Sequence, residues 1–227
     1  MIFKTMFHVK HIFLFLSILP IFSFAQGYSV TLTQKKLPHP ITIDSTVDNL
    51  DRSFSNYNQL NETGKELLYW TNYSRKDPKR FWDSAVAPIL NALPELNGNS
   101  AKALQKDLYQ ITALPLFQLN TPLINMAQFH ANETGKKQLP LSHNSADGSS
   151  FGERFSNAGL KNCGGENIAI SDDVLLGLVL LYIDYNLPDA GHRKNLLSEK
   201  FSIIGIGACP YGKTGNFFFV QDFACPQ

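Results

Sequence analysis

The residue types best suited to chemistry in this 227-residue chain fall in one interval, from His143 to His192. It holds His143-Asn144-Ser145-Ala146-Asp147-Gly148, then Gly165-Glu166-Asn167-Ile168-Ala169, then Ile183-Asp184, then Gly191-His192-Arg193-Lys194-Asn195. Two imidazoles and two carboxylates are what a zinc site or a general acid/base pair needs. Neutral imidazole gives a lone pair to a metal, and a carboxylate orients the ring through its second nitrogen. The candidate site is therefore the tetrad His143, Glu166, Asp184 and His192, with His143 and His192 as the candidate Zn2+ ligands. Spread over about fifty residues, these groups cannot meet within one helix or hairpin, so a shared site requires tertiary folding.

Each member also has a plainer role. Glu166, after Gly164-Gly165, can bond backbone donors in a tight turn, His192 can cap a short helix over residues 193–197, and Asp147-Gly148 is an ordinary turn. The spacing is not that of a local His-Glu-x-x-His zinc motif. There is also no Gly-x-Ser-x-Gly elbow and no phosphate-cradling glycine loop, so serine-hydrolase and nucleotide chemistry lack support.

The elements that must position these groups belong to one domain with appendages, since 44% hydrophobic and 17% charged residues allow one sizeable core. Lys4, His8, Lys10 and His11 precede an apolar run over 12–22 that ends in Ser23-Phe24-Ala25, the pattern of an export signal cleaved after Ala25. The run is shorter than the ~20 residues a spanning helix needs, so the mature chain is expected to be secreted, extracellular or periplasmic, and not membrane-spanning. Removing residues 1–25 takes away Lys4 and Lys10 and no acid, which moves the net charge from +1 to −1. No basic cluster survives, so a nucleic-acid partner is set aside.

Residues 26–59 read as a polar extension or linker. Thr63-Gly64-Lys65-Glu66 has a capping-box pattern opening a core helix that stops at Asp77-Pro78. Residues 84–117, interrupted by Pro88, Pro94 and Asn97-Gly98, read as a helical insertion carried on the surface. Thr121-Pro122 opens a second core helix whose buried stripe contains His130, taken as a packed core histidine rather than a ligand. Ser171-Asp172-Asp173 caps a third helix, residues 174–183, apolar on every face and so expected to be buried all round. Asp184 emerges where that helix stops, a position the helix dipole disfavours for an acid, which calls for a compensating partner such as a histidine. Residues 201–208 and 217–224 read as a terminal hairpin. Antiparallel pairing would hold Cys209 and Cys225 on the order of 20 Å apart, so Cys163 is the better partner for either of them, if a bridge forms at all.

Four of these stretches together carry a resemblance: His143 with Asp147-Gly148-Ser149-Ser150 and Arg154, Gly165-Glu166-Asn167-Ile168-Ala169, Gly191-His192-Arg193-Lys194-Asn195, and Gln221-Asp222-Phe223-Ala224. In this order they resemble the CAP superfamily of cysteine-rich secretory, antigen 5 and pathogenesis-related 1 proteins, over roughly residues 60–224. The resemblance implies an α+β fold, a three-layer α-β-α sandwich with a central antiparallel sheet, and a cleft lined by two histidines and two acids. It carries His143, Glu166 and His192 over directly. Many relatives have a glutamate after a tryptophan as the second acid, where this chain has Ile183-Asp184, so Asp184 takes that place. A sparse cysteine content is similar to bacterial-type members. The function implied is a secreted binding module for a small ligand, lipid, peptide or cell-wall fragment. The alternatives are a zinc-dependent, peptidase-like hydrolase and a structural or interaction protein.

Overall fold

The structure, a computed structural model, describes residue 32 and residues 36–227, so the expected export signal over 1–25 lies outside the described residues. The chain forms α1 (Ser45–Ser53), α2 (Glu62–Lys76), α3 (Pro78–Phe81), α4 (Ala87–Ala92) and α5 (Asn99–Gln110) before its first strand, β1 (Gln118–Leu119). There follow α6 (Thr121–Lys137), α7 (Phe151–Asn157), β2 (Gly164–Ser171), α8 (Val174–Ile183), α9 (Gly191–Leu196), β3 (Ile203–Pro210) and β4 (Phe217–Ala224).

The four strands lie in the order β1-β3-β4-β2. The pairs β3/β4 and β2/β4 are antiparallel, whereas the two-residue β1 runs parallel to β3. The central sheet is thus antiparallel in its three full strands and mixed once that short edge is counted. Helix α6 lies so close to one face that a Cβ on Gly205 would sit 2.0 Å from the Leu123 carbonyl carbon, and one on Gly207 2.3 Å from that of Ala127. Only hydrogen at those two positions lets the helix backbone reach the strand. On the other face Gln221 donates to the Thr71 hydroxyl of α2 at 2.8 Å, and Gly177 of α8 rests on the Phe219 ring. Helices on both sides of one sheet make the expected α-β-α layering.

Helix α8 is buried along its whole length apart from Leu180, which is half-buried. Other expectations are corrected by packing. Residues 84–117 are no surface appendage: Val86, Ile89, Leu93, Leu96, Leu104, Leu108 and Phe117 have no exposed surface, or almost none, and belong to the main core. Of the prolines that read as interruptions, Pro94 sits in the first turn of a 3-10 helix, where a missing N–H costs nothing, and Pro88 lies inside a continuous helical run over 78–92, just after the π-helical turn Trp82–Val86. Residues 45–59 are no loose linker either. Helix α1 buries Val47 and Asp51, and Asp51 accepts from Asn72 of α2 at 2.7 Å. Two helix starts also shift, because Asn61 caps α2 and Asn120 caps α6 with side-chain oxygens, the better acceptors immediately upstream of the threonines.

Residues of α2 hold down the segments that carry the site. Asn72 bonds both the N–H and the C=O of Phe117 at 2.8 and 3.1 Å. Arg75, fully buried over the Phe117 ring, donates through Nη1 to the carbonyls of Leu196 and Ser198 at 2.7 and 3.0 Å. It thereby fixes the exit of α9. Strand β2, paired with β4 so that Gly164 faces Ala224, brings Cys163 beside Cys225, and these two form the disulfide. Cys209 remains a buried free thiol.

Candidate functional site: two histidine–carboxylate pairs

His143 enters from the loop between α6 and α7, and that loop is pinned from both helices. The buried His130 of α6 bonds Glu133 through Nδ1 and the Ser142 carbonyl through Nε2, each at 2.9 Å. It is the packed histidine its place on the buried stripe predicts. Glu133 also accepts from the Ala146 N–H at 3.1 Å. From the other side Arg154 of α7 donates through Nη1 to the His143 carbonyl at 2.8 Å, and to Ser145 and Ser149 at 3.3 Å. Helix α7 exists because Ser150 and Glu153 form a full capping box, satisfying two orphan donors reciprocally.

Glu166 is the third residue of β2. One oxygen accepts from His143 Nδ1 at 2.7 Å and the other from Arg154 Nη2 at 2.5 Å. Its side chain is 1% exposed and that of His143 44%, so a buried acid holds an open imidazole. Burial raises the Glu166 pKa, but the His143 hydrogen bond and the Arg154 charge outweigh it, and Glu166 stays below the usual glutamate range. A carboxylate accepts only, so His143 donates from Nδ1 and keeps Nε2 for a ligand.

Directly across the β2/β4 ladder from Glu166 lies Asp222, fully buried. Burial, then the Glu166 charge, lifts its carboxyl well above the ordinary aspartate value. Two carboxyls this close cannot both ionise cheaply. Asp222 therefore keeps its proton while Glu166 pairs with Arg154. Residue-type reasoning on the four-residue site left out Arg154 and Asp222, although both stood in the stretches that carried the resemblance. Apart from that membership, their types and neighbours carry no signal, since Arg154 follows Glu153 and Asp222 follows Gln221.

The second pair is built from helix ends. Asp184 follows α8 in the left-handed conformation, φ 50°, and its two oxygens accept from His192 Nδ1 at 2.5 Å and from the Arg193 N–H at 2.9 Å. The acid that is unfavourable at the C-terminus of α8 satisfies a free donor in the first turn of α9, and the histidine partner expected for it is present. His192 is less open than His143, at 21% side-chain exposure over a fully buried acid.

Strand β2 stands between the pairs. Asn167, next to Glu166, donates to the His192 carbonyl at 3.2 Å and accepts from Asn195 at 2.9 Å. Successive strand residues point to opposite faces, so Glu166 meets the first pair on the α6 face while Asn167 meets α9 on the other. The structure therefore brings the four residues together as two pairs astride an edge strand. Among the described residues no group of three or more His, Cys, Asp or Glu side chains is placed to hold a metal ion, short of the three protein ligands of a catalytic zinc centre.

The profile of the cysteine-rich secretory protein (CAP) family matches residues 103–223, just over half of the chain. No curated protein matches it. Among solved structures, an extracellular SCP-domain protein of Bacillus anthracis is 29% identical, with 50% of this chain and 35% of that chain covered and a TM-score of 0.41. This chain thus spans about a third of that protein's length. An outer surface protein of Borrelia burgdorferi is 18% identical over 56% of this chain and 90% of that chain, TM-score 0.43. Venom allergen-like protein 4 of Schistosoma mansoni is 17% identical over 74% and 91%, TM-score 0.43. With its family profile spanning α5 to β4, the chain belongs to the cysteine-rich secretory protein (CAP) family.

Proposed function

We propose that this chain is an exported CAP-domain binding module that seats a small ligand along the edge of β2, between His143 and His192. The observation that carries the reading is that each imidazole is locked through Nδ1 by its own buried carboxylate, leaving Nε2 as a fixed, partly exposed ligand contact. Rigid polar groups on a packed scaffold recognise a ligand at little entropic cost. Export is supported by the basic, apolar and small-residue order of residues 1–25, and by a disulfide between Cys163 and Cys225, which persists in oxidising compartments. Among the described residues no helix is long and apolar enough to cross a membrane. A zinc-dependent hydrolase reading has less support, because among the described residues no third His, Cys, Asp or Glu is grouped with the two histidines.

The test is to recover the protein from a secreting host and identify small molecules released from it by mass spectrometry. A molecule retained by the wild type and lost from the His143→Ala/His192→Ala double variant supports the reading. If the double variant retains the same molecule, the histidine pairs are not its seat and the reading fails.

A further inference from the structure

A second concavity opens away from the edge of β2, between α6, α7 and the loop that follows His143, with a volume of about 500 Å3. One wall is a helical stripe of α6, Pro122, Asn125, Met126 and Phe129, spaced i, i+3, i+4, i+7 and hence on one face. Phe129 is 59% exposed. A large aromatic left in water beside a cavity is unusual in a chain that buries Phe155, Phe218, Phe219 and Phe223 and half-buries Phe151 and Phe217. The opposite wall is Arg154, Asn157 and Ala158 of α7, and the rim is the loop with Asp147.

The charges narrow the occupant. Arg154 is 7% exposed, and its charge is spent on Glu166. Its Nε–H has no partner among the described residues. Asp147 is the unpaired charge at the rim, held in its ionised form mainly by the Ser149 N–H. A fatty acid or other anion would meet that carboxylate with no free cation opposite. A long acyl chain would also leave the Asn125, Asn157 and Asp147 side chains facing hydrocarbon. A ligand that fits offers hydroxyl donors to Asp147, amide-matching groups to Asn125 and Asn157, and one flat apolar face for Phe129. A pyranose ring has all three, since its axial C–H face stacks on an aromatic ring while its rim is polar.

We infer that the cavity between α6 and α7 binds a neutral, short oligosaccharide, with Phe129 as the stacking platform and Asp147, Asn125 and Asn157 as the hydrogen-bonding rim. This site is separate from the edge of β2 and stands whether or not the histidines bind a ligand. Because Arg154 braces both the cavity loop and Glu166, occupancy is also expected to be felt at the His143 ring.

The experiment is titration of isotopically labelled protein with cellobiose and with N,N′-diacetylchitobiose, followed by NMR at the side-chain amides of Asn125 and Asn157. Separate titrations use a neutral capped tripeptide and decanoate. Disaccharide-dependent shifts at both amides are expected, weakened about tenfold, or 1.4 kcal/mol, in Phe129→Ala and in Asp147→Asn. Both replacements are exposed, so folding is not at stake, and the His143→Ala/His192→Ala variant should keep the shifts. No shift with either disaccharide at millimolar concentration overturns the inference. So do shifts with the peptide or decanoate alone, and so does saccharide binding indifferent to Phe129→Ala.

Discussion

The two histidine–carboxylate pairs use the same contact, Nδ1 to a buried carboxylate, yet they are supported in different ways. Glu166 sits within a strand and needs a cation besides its histidine: Arg154 binds its far oxygen, and across the ladder burial lifts the Asp222 carboxyl well above the ordinary aspartate value. Asp184 sits between two helices, and its far oxygen takes a backbone N–H of α9. One pair is stabilised by charge and the other by a helix end. The first should therefore be the more sensitive to loss of a side chain and to acid, and the second to changes in local backbone geometry.

The largest effect is expected for Arg154→Met. It leaves Glu166 buried without its cation and frees the loop from His143 to Ser149, at a cost of roughly 3–5 kcal/mol, the usual penalty for breaking a buried ion pair. Chemical denaturation measures it. A loss below about 1 kcal/mol would show that Glu166 does not depend on charge pairing. The Asp184→Ala change should cost less, about 1–3 kcal/mol, because what it strands is one backbone N–H and one imidazole N–H. Its signature is early amide exchange across α9, with α7 untouched. If α7 loosens instead, the pairs are not independent.

Acid titration sharpens the contrast by sign. Glu166 is held below its ordinary value of 4.5, so its contribution is present above that value and lost as pH falls through the lower folded value. Asp51 in α1 is the reverse, because burial pushes it from 3.8 up to about 7, against the Asn72 hydrogen bond. Its contribution is present below 3.8 and lost as pH rises through about 7. Asp51→Asn should therefore abolish a loss of stability, roughly 4 kcal/mol at most, between acidic and neutral pH. Glu166→Gln should flatten the acid limb instead. Thermal melts across that range decide both, and exchanged signs would refute the assignment. Smallest of all, His143→Ala should cost about 1 kcal/mol, since it removes one hydrogen bond from the buried Glu166 but opens that oxygen to water.

How much of this was legible in the residues varies by the kind of force involved. The terminal hairpin and the all-apolar run over 174–183 were plain, because two short apolar runs around a glycine-rich turn and a helical run without a polar face each leave one way to bury the chain. Asp184 was legible through the dipole penalty, which predicted its histidine. The capping box of α7 is written in Ser150 and Glu153 three residues apart. Residues 84–117 misled because prolines look like breaks from sequence alone, whereas Pro88 follows a π-helical turn within a continuous helix and Pro94 opens a 3-10 turn, both beside buried aliphatic side chains. Arg154 and Asp222 were hidden for a deeper reason. A charge's value depends on what lies opposite it across a sheet or between helices, and register is a tertiary property.

The central claim, that each histidine belongs to its own carboxylate rather than to a shared metal cluster, is tested most directly by the ring tautomers. Long-range proton–nitrogen NMR of labelled protein, in metal-free buffer and again with zinc added, reads them for His143 and His192. The account predicts the Nδ1–H form for both rings, a change at His143 alone in Glu166→Gln, and no joint response of the two rings to zinc. An Nε2–H form at either ring, or simultaneous metal-induced shifts at both, would contradict it.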